Sequence, residues 1–487
     1  MVVIKVNIDI NWYKSDCSIL SISSAAQLMG LASIVASQGG VVPHDTFVGK
    51  TIELTENVDL SGVGDEWLAI GTNDFPFEGT FIGNKHTISG LRCSNNVSNN
   101  GIFGFVSIDA QIKNLIVKAE IYESQTAGGI VAVNSGNITS CKFYGTVMGY
   151  YSIGGIVGVN NGVISRCANY GNIVSKNQYA GGIVGVNKND IGEITDSYNN
   201  GKISGVNCVG GITGHNSGTQ IKNCFNRGEI SAFSGYSNAE CIGGISGYNA
   251  EGCPIKNCFS QAGICGGKYT GGIVGKNLGT LTGCFNQAVV SGSVSVGGIT
   301  GVNYNGQLET CRNSGNINGK TQIGGISGEN QGGFIQNCNN YGAIDGSSGL
   351  VGGLVGVGKW GQVNSSSNDG VVRNQGNEKV GGVIGEIKYG TVKNCTNTGA
   401  VVGVQKVGGI AGSSVNRSTI MDSSNIGEIR GNALVGGLVG YVYGDIKDSY
   451  NTGTVYGFET FSNLVGYIES GATTDCYSTG KMVNIYE

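Results

Sequence analysis

A glycine pair, an aliphatic residue and, two positions on, another glycine recur down this chain. The motif reads GGIVGVN at Gly154–Asn160, GGITGHN at Gly210–Asn216, GGISGEN at Gly324–Asn330 and GGLVGYV at Gly436–Val442. The second glycine of the pair falls at 12 positions from Gly129 to Gly437, a span of 308 residues in 11 steps, or 28 per step. A unit this short cannot bury an apolar face by itself. Stacked copies can, so a period of this length points to a solenoid.

Each unit carries three aliphatic columns. The first follows the glycine pair (Ile130, Ile156, Ile183 through Leu438), and the second runs from Ile138 and Ile164 to Ile446. The third contains Val147, Ile173, Ile203, Ile230, Ile264, Val289, Ile317, Ile344, Val371, Val401, Ile429 and Val455. Strand alternation predicts that the first aliphatic residue and the glycine two positions on face inward. By the same rule the residue between them (Val131, Thr213, Ser246) and the one after that glycine face outward. Three apolar columns separated by Gly/Asn turns predict an all-β chain, a parallel, right-handed, three-sided β-helix of about 14 coils and roughly 65 Å. Propeller blades of about 40 residues and leucine-rich spacing fit the repeat poorly.

The ends differ from the middle. Ser23–Ser37 (SSAAQLMGLASIVAS) has serine caps and an apolar stripe through Ala26, Met29, Ala32 and Ile34 or Val35, which predicts an amphipathic helix over the open end of the stack. The expected organisation is a strand and helical cap over 1–48, degenerate first coils over 49–121, and repeats over 122–487. The C-terminal end shows no matching cap, so an adjoining domain or another subunit is expected there.

Composition narrows the function classes. With 13% charged residues and a net charge of −4, the chain carries no electrostatic footprint for nucleic acid. No apolar run reaches 18 residues, so no membrane insertion is expected. The N-terminus, MVVIKVNIDI, lacks the architecture of a secretory signal.

Fifteen cysteines would ordinarily suggest disulfides or metal. Nine form one column (Cys141, Cys167, Cys224, Cys258, Cys284, Cys311, Cys338, Cys395, Cys476), and serine replaces them at Ser197, Ser366, Ser423 and Ser449. Interchange with serine marks a small, buried corner position rather than a ligand. Two asparagine columns, Asn134–Asn330 and Asn169–Asn451, read as turn ladders whose amides bond from coil to coil.

The unit GGIVGxN-x-GxI-x-x-C-x-N-x-GxI resembles the GLUG motif over roughly residues 101–480. "FEGTFIGNKHTISGL" (Phe77–Leu91) is similar to the opening coils of GLUG and pectin-lyase-like β-helices. The resemblance implies a bacterial surface or secreted protein of the kind that includes adhesin-like proteins and immunoglobulin A1-cleaving metallopeptidases. The peptidase activity does not carry over. The histidines are His44, His86 and His215, and none sits in an HExxH helix.

Four groups of residues are candidates for chemistry or binding. Cys208 and Cys241 hold the same register three residues before Gly211 and Gly244, where vertical neighbours about 5 Å apart could form a cross-coil disulfide or remain two thiols. Cys253 and Cys265 lie in the same irregular region but match no zinc spacing. Asp422, Asp448 and Asp475 precede the serine/cysteine column in consecutive coils. Stacked carboxylates there could take calcium or serve a glycosidase. Asp196, Asn223, Asn257, Asn337 and Asn394 hold that register elsewhere, so a turn preference explains it more simply. Phe225, Phe259 and Phe285, with Tyr198, Tyr450 and Tyr477, form an aromatic stripe that could stack on sugar rings or shield a corner.

Uniform columns with no convergent catalytic set predict a non-enzymatic extracellular or cell-surface module without cofactors. Such a module would act as an adhesin segment or spacer within a larger exported chain, with a glycan or host-surface protein as partner. A carbohydrate-active β-helix enzyme and a host-attachment fibre subunit are the alternatives.

Overall fold

The computed structural model describes residues 7–37, 43–63, 67–94, 98–188, 191–233 and 239–485. Two compact units divide the chain, Met1–Ser234 and Gly235–Glu487. Their boundary falls within the longest step of the repeat, between Gly211 and Gly244. Each unit is a parallel β-solenoid. Among the described residues no helix is long and apolar enough to cross a membrane.

In the first unit, eight described strands from Ile19–Ile22 to Gln220–Lys222 pair in parallel along one face. Their central residues stack in strict register: Leu20, Ile52, Phe81, Ile112, Ile138, Ile164, Ile194 and Ile221. Each of these side chains is buried. The stack therefore begins well before the glycine-pair repeat, which adds coils to the roughly 14 expected. Where the glycine pair is missing, bulk substitutes for it. Phe77 and Phe81 both pack on Phe103, each with ring centroids 5.3 Å apart.

The predicted helix forms as α1, Ala25–Val35, immediately after the first strand. Ser24 caps it by accepting from the Gln27 backbone N–H at 3.3 Å, and the Gln27 side chain accepts from the Ser23 backbone N–H at 2.8 Å. The helix is not amphipathic in the expected sense, because every residue from Leu28 to Val35 is buried. The preceding segment covers its other side. Asp9 donates its N–H to Ala26, and Trp12 stacks on Phe47 at 6.3 Å. The strand expected at the extreme N-terminus falls largely on residues 1–6, outside the described residues.

In the second unit, nine described strands from Pro254–Lys256 to Thr473–Thr474 form the corresponding face, with Ile255, Leu281, Leu308, Ile335, Val363, Val392, Ile420 and Ile446 in register. A second face follows the glycine pair, from Ser246–Asn249 to Val465–Ser470. The rest of each coil comprises three shorter segments, such as Phe285–Asn286, Val290–Ser291 and Val294–Gly297, which pair coil to coil within one further sheet, so three sheets enclose the stack.

Two expectations are corrected here. The third column passes through Val290 and Val372, which pair with Ile264 and Ile317 and with Ile344 and Val401. Val289, read into that column, is 48% exposed, and Val371 lies only half-buried beside it. The residue after the first aliphatic column, expected outside, is buried in coil after coil: Val131, Thr213, Ser246, Thr300 and Val355. So is the residue before the glycine pair, as at Ile153, Val296, Ile323 and Val407. The physical reason is the corner. The chain bends at the second glycine and the first aliphatic residue, as at Gly129–Ile130 and Gly298–Ile299, between a strand ending on Gly128 or Gly297 and the next starting at Val131 or Thr300, and that bend resets the two-residue alternation.

Candidate functional site

The constant positions are structural. Along the cysteine column, each thiol points at the carbonyl two residues back. Cys311 Sγ, for example, donates to Glu309 at 3.4 Å and lies 3.6 Å from the Leu281 carbonyl of the preceding coil. Serine makes the same bond when it substitutes, from Ser366 Oγ to Asn364 and from Ser449 Oγ to Lys447, each at 2.7 Å. This explains the interchange: the position needs a small donor, and either chalcogen serves. Burial pushes the Cys395 thiol up to about 12 and holds Cys338 well above the usual range. A thiol-specific chromogenic reagent at mildly alkaline pH is therefore expected to modify exposed Cys265 in the native protein. Cys284, Cys311, Cys338 and Cys395 should react only on unfolding, and rapid native labelling of that set would contradict their burial.

The asparagine columns are continuous amide ladders. In the second unit Asn286, Asn313, Asn340, Asn368, Asn397 and Asn425 each donate Nδ2 to the next Oδ1, the last acceptor being Asn451, at 2.7–2.8 Å. Asn368 and Asn425 belong to this ladder although the repeat reading passed over them. Each amide also holds a local turn, as where Asn313 Nδ2 donates to the Gly315 carbonyl at 2.9 Å. At one rung serine stands in: Ser260, in register with Asn286, has a buried Oγ with no hydrogen-bond partner. The two rungs hold equivalent places against the glycine pair. A side chain on Gly244 would meet Ser260 where one on Gly272 would meet Asn286. Ser260→Asn is expected to raise stability by about 1 kcal/mol, read as a higher unfolding midpoint. An unchanged or lower midpoint would mean the rung is not interchangeable.

Of the candidate sites, the aspartates resolve most clearly. Asp422, Asp448 and Asp475 all adopt left-handed backbone, with φ of 52°, 47° and 52°, as do Asp196, Asn223, Asn257, Asn337 and Asn394 in the same register. Asp and Asn tolerate this region best among residues with a side chain. The three carboxylates are exposed, and Asp422 lies 3.9 Å from Lys393 Nζ. Among the described residues no three His, Cys, Asp or Glu side chains converge to hold a metal ion. The turn accounts for the preference for Asp and Asn along the column.

Cys208 is half-buried and Cys241 buried, each with left-handed backbone at the corner before the glycine pair. The aromatic stripe forms half-buried stacks: Phe225 on Tyr198 at 5.0 Å, and Phe259 on Phe285 at 5.5 Å. The Arg227 guanidinium lies 5.2 Å over the Phe225 ring. Each ring spends a face on its neighbour, which suits shielding of a corner.

A different aromatic pair stands out. Trp360 and Tyr389 are 59% and 51% exposed, parallel to within 5°, with centroids 5.8 Å apart. Both hold left-handed backbone, φ 55° and 54°, which bulky residues rarely adopt. They follow Lys359 and Lys388, which pair across coils and bind Glu329 at 2.9 Å and Glu386 at 2.8 Å. Glu386 is nearly buried. Burial alone would raise its carboxyl, but bonds from Lys379 and Lys388 outweigh that and lower it. On the same corner, nearer the start of the unit, lies a depression of about 250 Å³ lined by Glu251, Leu278, Thr280, Tyr304, Asn305 and Gln307. The sequence signal was slight: an aromatic residue in a turn position held by Asn305 and Gly332 in the two preceding coils.

Comparison with known proteins agrees with the repeat. The GLUG motif family model matches residues 176–204 and 431–456, so the chain carries GLUG motifs in both units. No curated protein sequence matches the chain. A crystal structure from Bacteroides ovatus, of a protein provisionally named an immunoglobulin A1 protease, is 19% identical. The match covers 80% of this chain and 77% of that one, with a TM-score of 0.26.

Proposed function

We propose that this GLUG-repeat solenoid is a non-enzymatic display and binding module, an adhesin segment or spacer on the outside of a bacterial cell. The observation that carries the reading is the division of labour within a coil. Amides, thiols and aliphatic side chains at fixed positions are consumed in coil-to-coil bonding. Outer positions change chemistry along the stack, as in the paired series Tyr304, Gln331, Lys359, Lys388 and Val415. A scaffold of this kind supplies a regular frame on which surface residues vary at little cost to folding. The expected partner is a glycan or a host-surface protein.

Incubation with a polysaccharide panel, and with immunoglobulin A1, is expected to leave both uncut. New reducing or unsaturated ends, or peptide fragments, would replace the reading with an enzymatic one. Antibody raised against the chain is expected to label intact cells of its source. Labelling only after lysis would place the module inside the cell and end the proposal.

A further inference from the structure

Trp360 and Tyr389 hold strained backbone and expose large apolar rings, two costs that the fold does not require. Asn305, in the same turn position two coils earlier, is also left-handed at φ 53°, and asparagine adopts that conformation with less strain. The aromatic residues are therefore not there for the turn.

Their surroundings indicate what they meet. Tyr389 covers one face of the Trp360 indole. The rung on the other side is Gly332, which has no side chain, so that face is left open. Beyond Gly332 comes the Asn305 amide, whose Oδ1 lies where a Gly332 side chain would stand. From Asn305 the surface runs into the depression that presents Thr280, Gln307 and Glu251. An apolar protein partner would find few apolar groups there beyond the rings. A pyranose chain would find both things it needs, a flat face for its C–H surface and an adjoining row of amide, hydroxyl and carboxylate groups for its hydroxyls.

We propose that this corner of the second unit binds an extended, hexose-containing oligosaccharide, stacked on Trp360 and Tyr389 and hydrogen-bonded along Asn305, Gln307 and Glu251. The inference rests on the binding-module reading and deepens it. Two coil steps separate the Asn305 rung from the Trp360 rung, about 10 Å at the usual strand spacing, so a single sugar ring cannot bridge the two parts.

The test uses the full chain and an immobilised series of hexose oligosaccharides of increasing length, followed by calorimetry on any that bind. Trp360→Asn and Tyr389→Asn are suitable variants, since asparagine already occupies this turn at Asn305. Phe285→Leu, on the aromatic stripe, serves as the control. The expected result is binding that strengthens with chain length and weakens at least tenfold in both asparagine variants, with Phe285→Leu unchanged and all circular dichroism spectra alike. Oligosaccharide binding that the two variants leave intact would overturn this site while the binding-module reading stands. Binding to a protein ligand that falls in the same variants would overturn the sugar assignment. Absence of any oligosaccharide binding by the wild type would overturn the inference outright, whereas the module reading is decided separately by the cleavage and labelling experiments.

Discussion

Asn313→Ala is expected to destabilise the second unit by about 3 kcal/mol, one of the two largest effects the fold predicts for a single substitution. Asn313 is wholly buried, accepts from Asn286 Nδ2 at 2.8 Å and donates to both Asn340 and the Gly315 carbonyl. Truncation removes three bonds, leaves buried partners in neighbouring coils under-satisfied, and opens space that packed strands cannot close. Asn316→Ala is the comparison: its exposed amide bonds one backbone N–H, that of Ala343, and its loss should cost well under 1 kcal/mol. The two variants are compared by their unfolding midpoints in urea. Equal midpoints would show that the ladder decorates the turns rather than holding them.

Gly298→Ala is the second. A Cβ there would lie 2.1 Å from the Gly325 carbonyl oxygen and 2.3 Å from Asn313 Cγ. The obstacle is a neighbouring coil's backbone on one side and a ladder rung on the other, so neither can yield without breaking the stack. A loss of about 3 kcal/mol or more is expected, appearing as insoluble expression or a collapsed midpoint. The control again sits in the same unit. A Cβ on Gly263 meets nothing within 4 Å, and Gly263→Ala should be neutral or stabilising by about 0.5 kcal/mol through the unfolded chain. Should the two alanines behave alike, close backbone approach is not what the glycine pair is for.

These contrasts also show why some of the molecule was readable beforehand and some was not. The columns that lie on straight strands, such as Ile138 through Ile446, were legible because alternation holds along a strand. The interchange of Cys395 with Ser423 was legible because it exposes a size and donor requirement directly. Alternation failed at the corners, where the chain bends at the second glycine and the aliphatic residue after it and successive residues become buried. That is how Val131 was read as outward, whereas Val289 was preferred to Val290 only because two adjacent valines fit the column equally well on sequence. The early coils were legible only as degenerate units over 49–121, for another reason. They keep the stacking of Ile52 on Phe81 while lacking the glycine signature. Trp360 and Tyr389 were invisible as a pair because 29 residues separate them in sequence, and only the coil-to-coil pairing of Lys359 with Lys388 sets them side by side.

The amide ladder of the second unit has steps of 27, 27, 28, 29, 28 and 26 residues, yet like meets like at every rung. Loops absorb the differences, so each junction between neighbours is chemically the same junction. Removal of one entire turn would leave two surfaces that already fit each other, and duplication of one would insert a piece that fits both. Genes of this design can lengthen or shorten their product by unequal recombination without inventing a new interior, and reach becomes a quantity that drift can tune.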